Sequence, residues 1–319
     1  MIRRSIRRIL VAGISAATLL AAASAQAQLF RAYVSSAGND ANPCTLPQPC
    51  RLLPAALAAV ASNGEIWMVD SANYNTGPVV VNKSVTILAV PGVIGSVVGN
   101  NGTALSIQAA GIQVTLRNLV IRDFSLGDVG VLIGNAASVT IENCEIFGFV
   151  GPTGSNGLAI WANTGANAVK VSVVGSIIRN NFHGIVAAGN ASVTVSKSHI
   201  LANGGVGIWS NAGSGITVVH VIDSVASANA TGFAASGNSG TAHSYMYLTR
   251  AVASENVNQG FATTGGITAF MVVGDSMATN NGSGFNNGGG AGTFRSRGDN
   301  TVIGNAADVV GTITPQGGV

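Results

Sequence analysis

Short apolar runs alternate with polar turns along almost the whole chain. Ile66-Trp-Met-Val69, Val79-Val-Val81, Ser84-Val-Thr-Ile-Leu88, Ala104-Leu-Ser-Ile107 and Val114-Thr-Leu116 each have the length and the β-branched content of a strand. Phe30-Arg-Ala-Tyr-Val-Ser35 shows the strict period of two that a half-buried strand requires. One stretch departs from this pattern. Residues 52–61 are rich in Ala and Leu, carry Pro54 where a first helical turn tolerates it, and meet Asn63-Gly64 as a stop. They predict a short helix near the start of a chain otherwise made of strands.

From Val169 onward the pattern repeats. Ser176-Ile-Ile-Arg-Asn-Asn181 is followed by Ser198-His-Ile-Leu-Ala-Asn203, Ser224-Val-Ala-Ser-Ala-Asn229 and Ala251-Val-Ala-Ser-Glu-Asn256. Ser276-Met-Ala-Thr-Asn-Asn281 and Asn300-Thr-Val-Ile-Gly-Asn305 complete the series. The asparagines at 181, 203, 229, 256, 281 and 305 are spaced by 22, 26, 27, 25 and 24 residues. A period in the twenties marks a stacked-repeat protein, and one period is long enough for three short strands and three turns. Stacked coils put like residues in columns about 4.8 Å apart. An asparagine column can then run as a ladder, each amide donating to one neighbour and accepting from the other. A glycine and an apolar residue follow most of these asparagines, as in Gly184-Ile185, Gly207-Ile208, Gly232-Phe233, Gly260-Phe261 and Gly284-Phe285, and are expected to supply backbone angles that other residues resist.

Aligned by the same period, the upstream coils place Asn118 and Asn143 in the column of Ser176, Ser198, Ser224, Ala251, Ser276 and Asn300. That register puts Cys144 and His199 in one column with Leu119, Ile177 and Val225, as a buried small hydrophobe and a core or edge histidine. Three residues before each anchor stand Thr115, Thr140, Val173, Val195, Val221, Leu248, Val273 and Arg297, a β-branched or apolar column until the last coil.

Composition narrows the class. Only 8% of residues are charged, 47% are apolar and 43 are glycine, which excludes a disordered chain, and the glycines lack the period of collagen. The net charge of +3 comes from Arg3, Arg4, Arg7 and Arg8; without them 11 basic residues face 12 acidic ones, so no nucleic-acid patch is expected. Those arginines precede an apolar run and then Ala23-Ser-Ala-Gln-Ala27, the layout of a secretory signal peptide over residues 1–27. No later stretch is long and apolar enough to span a membrane, and the chain is expected to be exported to the periplasm or beyond. Export permits a disulfide, and Cys44 and Cys50, close together and flanked by prolines, are the expected pair. No Cys/His cluster has metal-ligand spacing, so neither metal nor cofactor is expected.

Tyr33-Val-Ser-Ser-Ala-Gly-Asn-Asp-Ala-Asn-Pro43, Pro49-Cys-Arg51 and the Ala56-Leu57 helix resemble the entry segment of bacterial right-handed parallel β-helix proteins of the pectin-lyase-like group, with Cys44 and Cys50 where that group usually has Gly and Phe. The resemblance implies an all-β, single-stranded right-handed parallel β-helix solenoid with a short N-terminal helix cap. The expected organisation is a cap over residues 28–63, the β-helix over 64–314 and a tail over 315–319.

The group includes lyases, hydrolases, epimerases and many members of unknown role, so the resemblance implies fold more strongly than activity. The column preceding the anchors is the richest in charge: Arg117, Glu142, Gly175, Lys197, Asp223, Arg250, Asp275, Asp299. Asp223, Asp275 and Asp299, with Arg250, are the candidate catalytic residues of a polysaccharide lyase or glycoside hydrolase acting on an acidic glycan, with calcium entering only in the lyase alternative. The alternating signs favour ion pairs across coils instead, and with them a non-catalytic scaffold whose partner is a polysaccharide or cell-surface glycan. Trp161 and Trp209 are the candidate sugar-stacking residues, and packing at turn corners is the other use for them.

Overall fold

The computed structural model describes residues 28–100, 102–124, 127–152, 156–237, 240–289 and 292–317; the expected signal segment lies outside them. The chain winds as a parallel β-solenoid in which every coil visits three sheets in turn. Sheet 1 contains Leu29–Val34, Val60–Met68, Val85–Ala89, Gln113–Arg117 and Ser138–Glu142, and later Ile216–Ile222, His243–Thr249, Ala269–Gly274 and Thr293–Ser296. Sheet 2 is a ladder of ten short strands from Ala72–Asn73 to Thr301–Val302. Sheet 3 runs from Val79–Val81 to Ala307–Gly311. Sheets 3 and 1 join where Leu158–Val174 and His183–Ser196 pass from one into the next without a turn.

The core follows from alternation. In sheet 1, Leu116, Ile141, Val173, Val195, Val221, Leu248 and Val273 stack in register, all nearly inaccessible to water. Each such side chain contributes about 1.5–3 kcal/mol when fully buried. In sheet 3 the inner column passes from Ile160, Ile185 and Ile208 to Phe233, Phe261 and Phe285, whose rings lie 5.0 and 5.4 Å apart in succession.

The asparagines stand at the corner between sheets 2 and 3. Each side-chain amide donates to the next Oδ1: Asn181 to Asn203 at 3.0 Å, Asn203 to Asn229 at 2.8 Å, Asn229 to Asn256 at 3.2 Å, Asn256 to Asn281 and Asn281 to Asn305 both at 2.8 Å. The same Oδ1 atoms also accept the backbone N–H of the preceding asparagine, as from Asn203 to Asn229 at 3.0 Å. The glycines beside the ladder serve a different purpose from the one expected. Gly184, Gly207, Gly232, Gly260 and Gly284 do not have positive φ. A Cβ on Gly232 would stand 2.7 Å from the Gly260 carbonyl oxygen and 3.0 Å from the Asn256 amide nitrogen, so the position is kept bare by the next coil.

The corner between sheets 1 and 2 corrects the sequence register. Glu142 pairs with Val174 and Glu145 with Ile177, so Asn143 aligns with Gly175 and Cys144 with Ser176. Asn118 and Asn143 thus stand one residue before the Ser176 column and not in it. Cys144 therefore begins a second polar ladder: its N–H donates to Ser176 Oγ, Ser176 N–H to Ser198 Oγ, and Ser198 N–H to Ser224 Oγ, each at 3.2 Å. Burial pushes the free Cys144 thiol up to about 12. The slip also moves Arg117 and Glu142 out of the charged column, since a shift of one residue changes the face on which a side chain lies. His199 pairs with Ile177 and Val225 but sits on the exposed outer face, not at the core. In the last coil Ser296, not Arg297, pairs with Val273.

At the N-terminus, Leu29–Val34 pairs in parallel with Val60–Met68 and so belongs to the first sheet. The helix spans Leu53–Ala59, with Pro54 in its first turn, and ends as Val60 turns extended. Asn63-Gly64, read from sequence as its stop, lies inside the next strand. The Cys44–Cys50 disulfide closes the intervening loop, and Asp40 Oδ1 accepts the N–H groups of Arg51 and Leu52, both at 2.8 Å. Asp70 anchors the loop by accepting from the Ser35 and Ser36 hydroxyls and from Tyr74. None of the helices among the described residues is long and apolar enough to cross a membrane.

Candidate functional site

The outer face of sheet 1 changes character halfway along the solenoid. One outward column holds Thr115, Thr140, Ser172 and Thr194, then His220, Tyr247, Val272 and Arg295. The neighbouring column holds Ser138, Lys170 and Ser192, then Val218, Tyr245, Phe270 and Thr293. Backbone geometry is the same along the sheet, so the switch from the mostly Ser and Thr positions of the middle coils to aromatics belongs to the surface and not to the fold; the first coils carry Arg31, Tyr33, Glu65 and Trp67 on this face.

These side chains form one platform. The His220 and Tyr247 rings stack with centroids 5.2 Å apart, Tyr245 and Tyr247 are nearly coplanar in orientation at 6.5 Å, and His243 lies 6.0 Å from Tyr245. Phe270 meets both tyrosines edge-on at 5.8 and 6.1 Å, and the Arg295 guanidinium lies 5.2 Å from its ring. Four successive rungs carry the patch, about 14 Å along the axis. Burial and the neighbouring Tyr245 push the Tyr247 hydroxyl upward, so it stays a neutral donor at physiological pH. Such a surface offers flat apolar faces with polar edges, which a sugar ring can cover with its C–H face while its hydroxyls stay wet. The sequence carries the signal in His243-Ser-Tyr-Met-Tyr-Leu-Thr249, whose alternation aims His and both Tyr residues outward, but reading sites from charge alone passes over it.

The charged candidates sit at the corner between sheets 1 and 2. Lys197, Asp223, Arg250 and Asp275 all have φ near +50° there, so each is the single left-handed residue that turns the chain. Asp223 is held by Arg250 in a two-pronged pair, Nη2 to Oδ2 at 3.1 Å, and this contact lowers its carboxyl below the usual range. Arg117 and Glu142 pair at 2.8 Å. Arg250, Asp275 and Asp299 line one shallow groove of about 260 Å³, where the Asp275 N–H donates to Asp299 Oδ1 at 2.8 Å. These three are brought together, while Asp223 is turned to its ion pair. All four are exposed, whereas a carboxyl that must stay protonated as a general acid needs a dry surrounding. Two carboxylates also fall short of the six to eight oxygens that calcium takes. No group of three His, Cys, Asp or Glu side chains among the described residues is arranged to hold a metal.

Trp161 and Trp209 share an outer column of sheet 3 with Val186 between them, in mid-strand and not at turn corners. The Trp209 indole donates to Ser236 Oγ and its ring lies 5.2 Å from His183. Both tryptophans are half-buried. His183 accepts the Val206 N–H at Nδ1, 2.9 Å, and burial lowers its tendency to protonate.

The columns, the corner asparagine ladder and the uniform parallel pairing describe a β-helix, and a family model for the "Right handed beta helix region" matches residues 103–307. The chain belongs to that family. The right-handed beta helix extends beyond the matched segment in this protein, since sheet 1 begins at Leu29. Pectate lyase Pel9A superposes with a TM-score of 0.66 at 16% identity, covering 92% of this chain and 80% of that one. The GH136 lacto-N-biosidase from Eubacterium ramulus does so with a TM-score of 0.51 at 11% identity, covering 90% of this chain and 68% of that one. At these identities the likeness is one of fold. A search of curated proteins finds no match.

Proposed function

We propose that this right-handed beta helix is an exported, non-catalytic glycan-binding protein whose recognition surface is the aromatic platform of Tyr245, Tyr247, Phe270, His220 and His243. One observation carries the reading: columns that hold mostly Ser and Thr through the middle coils turn aromatic over three adjacent rungs, with no structural demand for it. The fold it shares with pectate lyase Pel9A and the lacto-N-biosidase, both named for activities on glycans, supports the class of ligand. The Cys44–Cys50 disulfide supports export, since such bonds persist in oxidising compartments. In this reading the helix Leu53–Ala59 serves as the cap that keeps water from the first coil.

The test is a glycan array followed by calorimetry on the full chain. Tyr247→Ala is expected to weaken binding about tenfold, ~1.4 kcal/mol, with the melting temperature unchanged. Failure to bind any polysaccharide, or equal binding by the Tyr245→Ala/Tyr247→Ala double variant, would overturn the assignment. A second reading, a polysaccharide-cleaving enzyme, draws on the groove shared by Arg250, Asp275 and Asp299. It requires new reducing or unsaturated ends from an acidic polymer, abolished in Asp275→Asn/Asp299→Asn.

A further inference from the structure

The outer face of sheet 2 carries an apolar stripe that the aromatic platform does not use. After Glu145 its first outward column reads Ile177, His199, Val225, Val252, Met277 and Thr301, one residue per coil. Ile177 and Met277 are 40% and 41% exposed, and Leu201 faces the same way two residues after His199. A contiguous apolar row on a water-facing sheet marks an interaction surface. The corner beside it carries a row of residues in step with the stripe: Gly175, Lys197, Asp223, Arg250, Asp275 and Asp299. Row and stripe border one surface, since Arg250, Asp275 and Asp299 share their shallow groove with Val252 and Met277.

The order of signs decides what fits this face. Rung by rung, Lys197, Asp223, Arg250 and Asp275 read plus, minus, plus, minus. A two-fold axis lying in the interface along the strands reverses the order of the rungs and keeps charged edge against charged edge. Lys197 then faces Asp275 of a second copy, and Asp223 faces its Arg250, so all four charges meet the opposite sign and each contact occurs twice. The stripe closes on itself in the same operation, with Val225 against Val252 and His199 against Met277. Gly175 falls opposite Asp299, and on the far edge Ala228 falls opposite Glu255, so no like charges are brought together. We propose that sheet 2 is the interface of an antiparallel homodimer built on this self-complementary face. Six rungs are about 24 Å long and the face about 15 Å wide, well short of the roughly 800 Å² per partner of a standard interface. The dimer is therefore weak, and charge order sets its register more than area does. It leaves the sheet 1 platform uncovered and does not rest on the glycan reading.

The experiment is sedimentation equilibrium of the full chain from about 10 µM to about 1 mM, where a monomer–dimer equilibrium that weakens with added salt is expected. Lys197→Asp sets like charges against Asp275 at two places and is expected to weaken the dimer at least about tenfold, as is Asp275→Lys. Lys197→Asp/Asp275→Lys restores opposite signs across the axis and is expected to return the dimer to within about threefold of the unaltered chain. Within one chain the two positions lie three rungs apart, about 14 Å, so no internal pair accounts for such a rescue. Both hold the same left-handed backbone, φ 50° and 48°, and that backbone already carries a lysine at one and an aspartate at the other, so the variants are expected to fold, as circular dichroism would check. A chain that stays monomeric would leave the stripe to a partner of another kind and overturn the homodimer. A dimer indifferent to both single reversals, or a double variant no better than either, would place the contact elsewhere and overturn it too. Tyr245→Ala/Tyr247→Ala is expected to dimerise as the unaltered chain does, so the dimer and the glycan platform can fail separately.

Discussion

Removing one ladder asparagine tests how the coils are held together. Asn229 is fully buried and its side chain makes four hydrogen bonds. Oδ1 accepts from the N–H and the amide of Asn203, at 3.0 and 2.8 Å, and Nδ2 donates to Asn256 Oδ1 at 3.2 Å and to the Ile200 carbonyl at 3.0 Å. Asn229→Ala deletes all four. At about 1 kcal/mol net per bond the loss is about 4 kcal/mol, and the Asn203 N–H and Ile200 carbonyl, stranded without water, raise it toward 6 kcal/mol. Asn305 is the contrast. It accepts from Asn281 in the same way, but it is only half-buried and its amide ends on Asp308 at 2.9 Å. Water can replace those partners, so Asn305→Ala should cost about 1–2 kcal/mol. Because a solenoid frays coil by coil, the measurement is native-state hydrogen exchange of the 199–233 segment alongside urea unfolding. Asn229→Asp sharpens the comparison. It keeps the two acceptor bonds but turns an oxygen toward the Ile200 carbonyl and Asn256 Oδ1, so it should be no better than Ala at pH 7 and recover in acid, where a protonated carboxyl can donate. Equal costs at 229 and 305, within about 1 kcal/mol, would refute the idea that the buried ladder couples successive coils.

Gly232→Ala should destabilise by at least ~2 kcal/mol, because the added Cβ meets the Gly260 carbonyl at 2.7 Å and the ladder amide of Asn256 at 3.0 Å; thermal unfolding followed by circular dichroism checks it. Burial pushes the Asp70 carboxyl upward, but hydrogen bonds from Tyr74, Ser36 and Ser35 outweigh it and hold the group down at about 2, against 3.8 when free. Its contribution is therefore complete above about pH 4 and lost as pH falls toward 2, worth about 1 kcal/mol after allowing for its partial exposure. Asp70→Asn should remove that acid-limb slope from a plot of unfolding free energy against pH.

The repeat itself was legible in the sequence, because a residue that must sit at the same corner of every coil recurs at a fixed spacing. Asn181 through Asn305 announce the corner, and the alternation Val-x-Val at 171–173, 193–195 and 219–221 announces the wall beside it. Register in the earlier coils was not legible. Asn118 and Asn143 resemble the Ser176 anchors in spacing, yet inter-strand pairing places them one residue earlier, and no local signal distinguishes the two choices. The purpose of the glycines was equally hidden: the bare Cα at Gly232 answers to a carbonyl 28 positions on, at Gly260, so only packed coils reveal it. The candidate sites divide in the same way. Charge singled out Asp223, Arg250, Asp275 and Asp299, and the fold shows why polar residues recur there, at a left-handed exposed corner, while bringing Arg250, Asp275 and Asp299 to one groove. The Tyr245–Tyr247 platform draws on residues from several coils whose separation in sequence varies with loop length. Sequence by itself determined the period, the strand-and-turn grammar and the ladder, because those are set by residues within one coil. Tertiary structure decided which outward side chains meet, because that depends on the register between coils, and register is a property of no single coil.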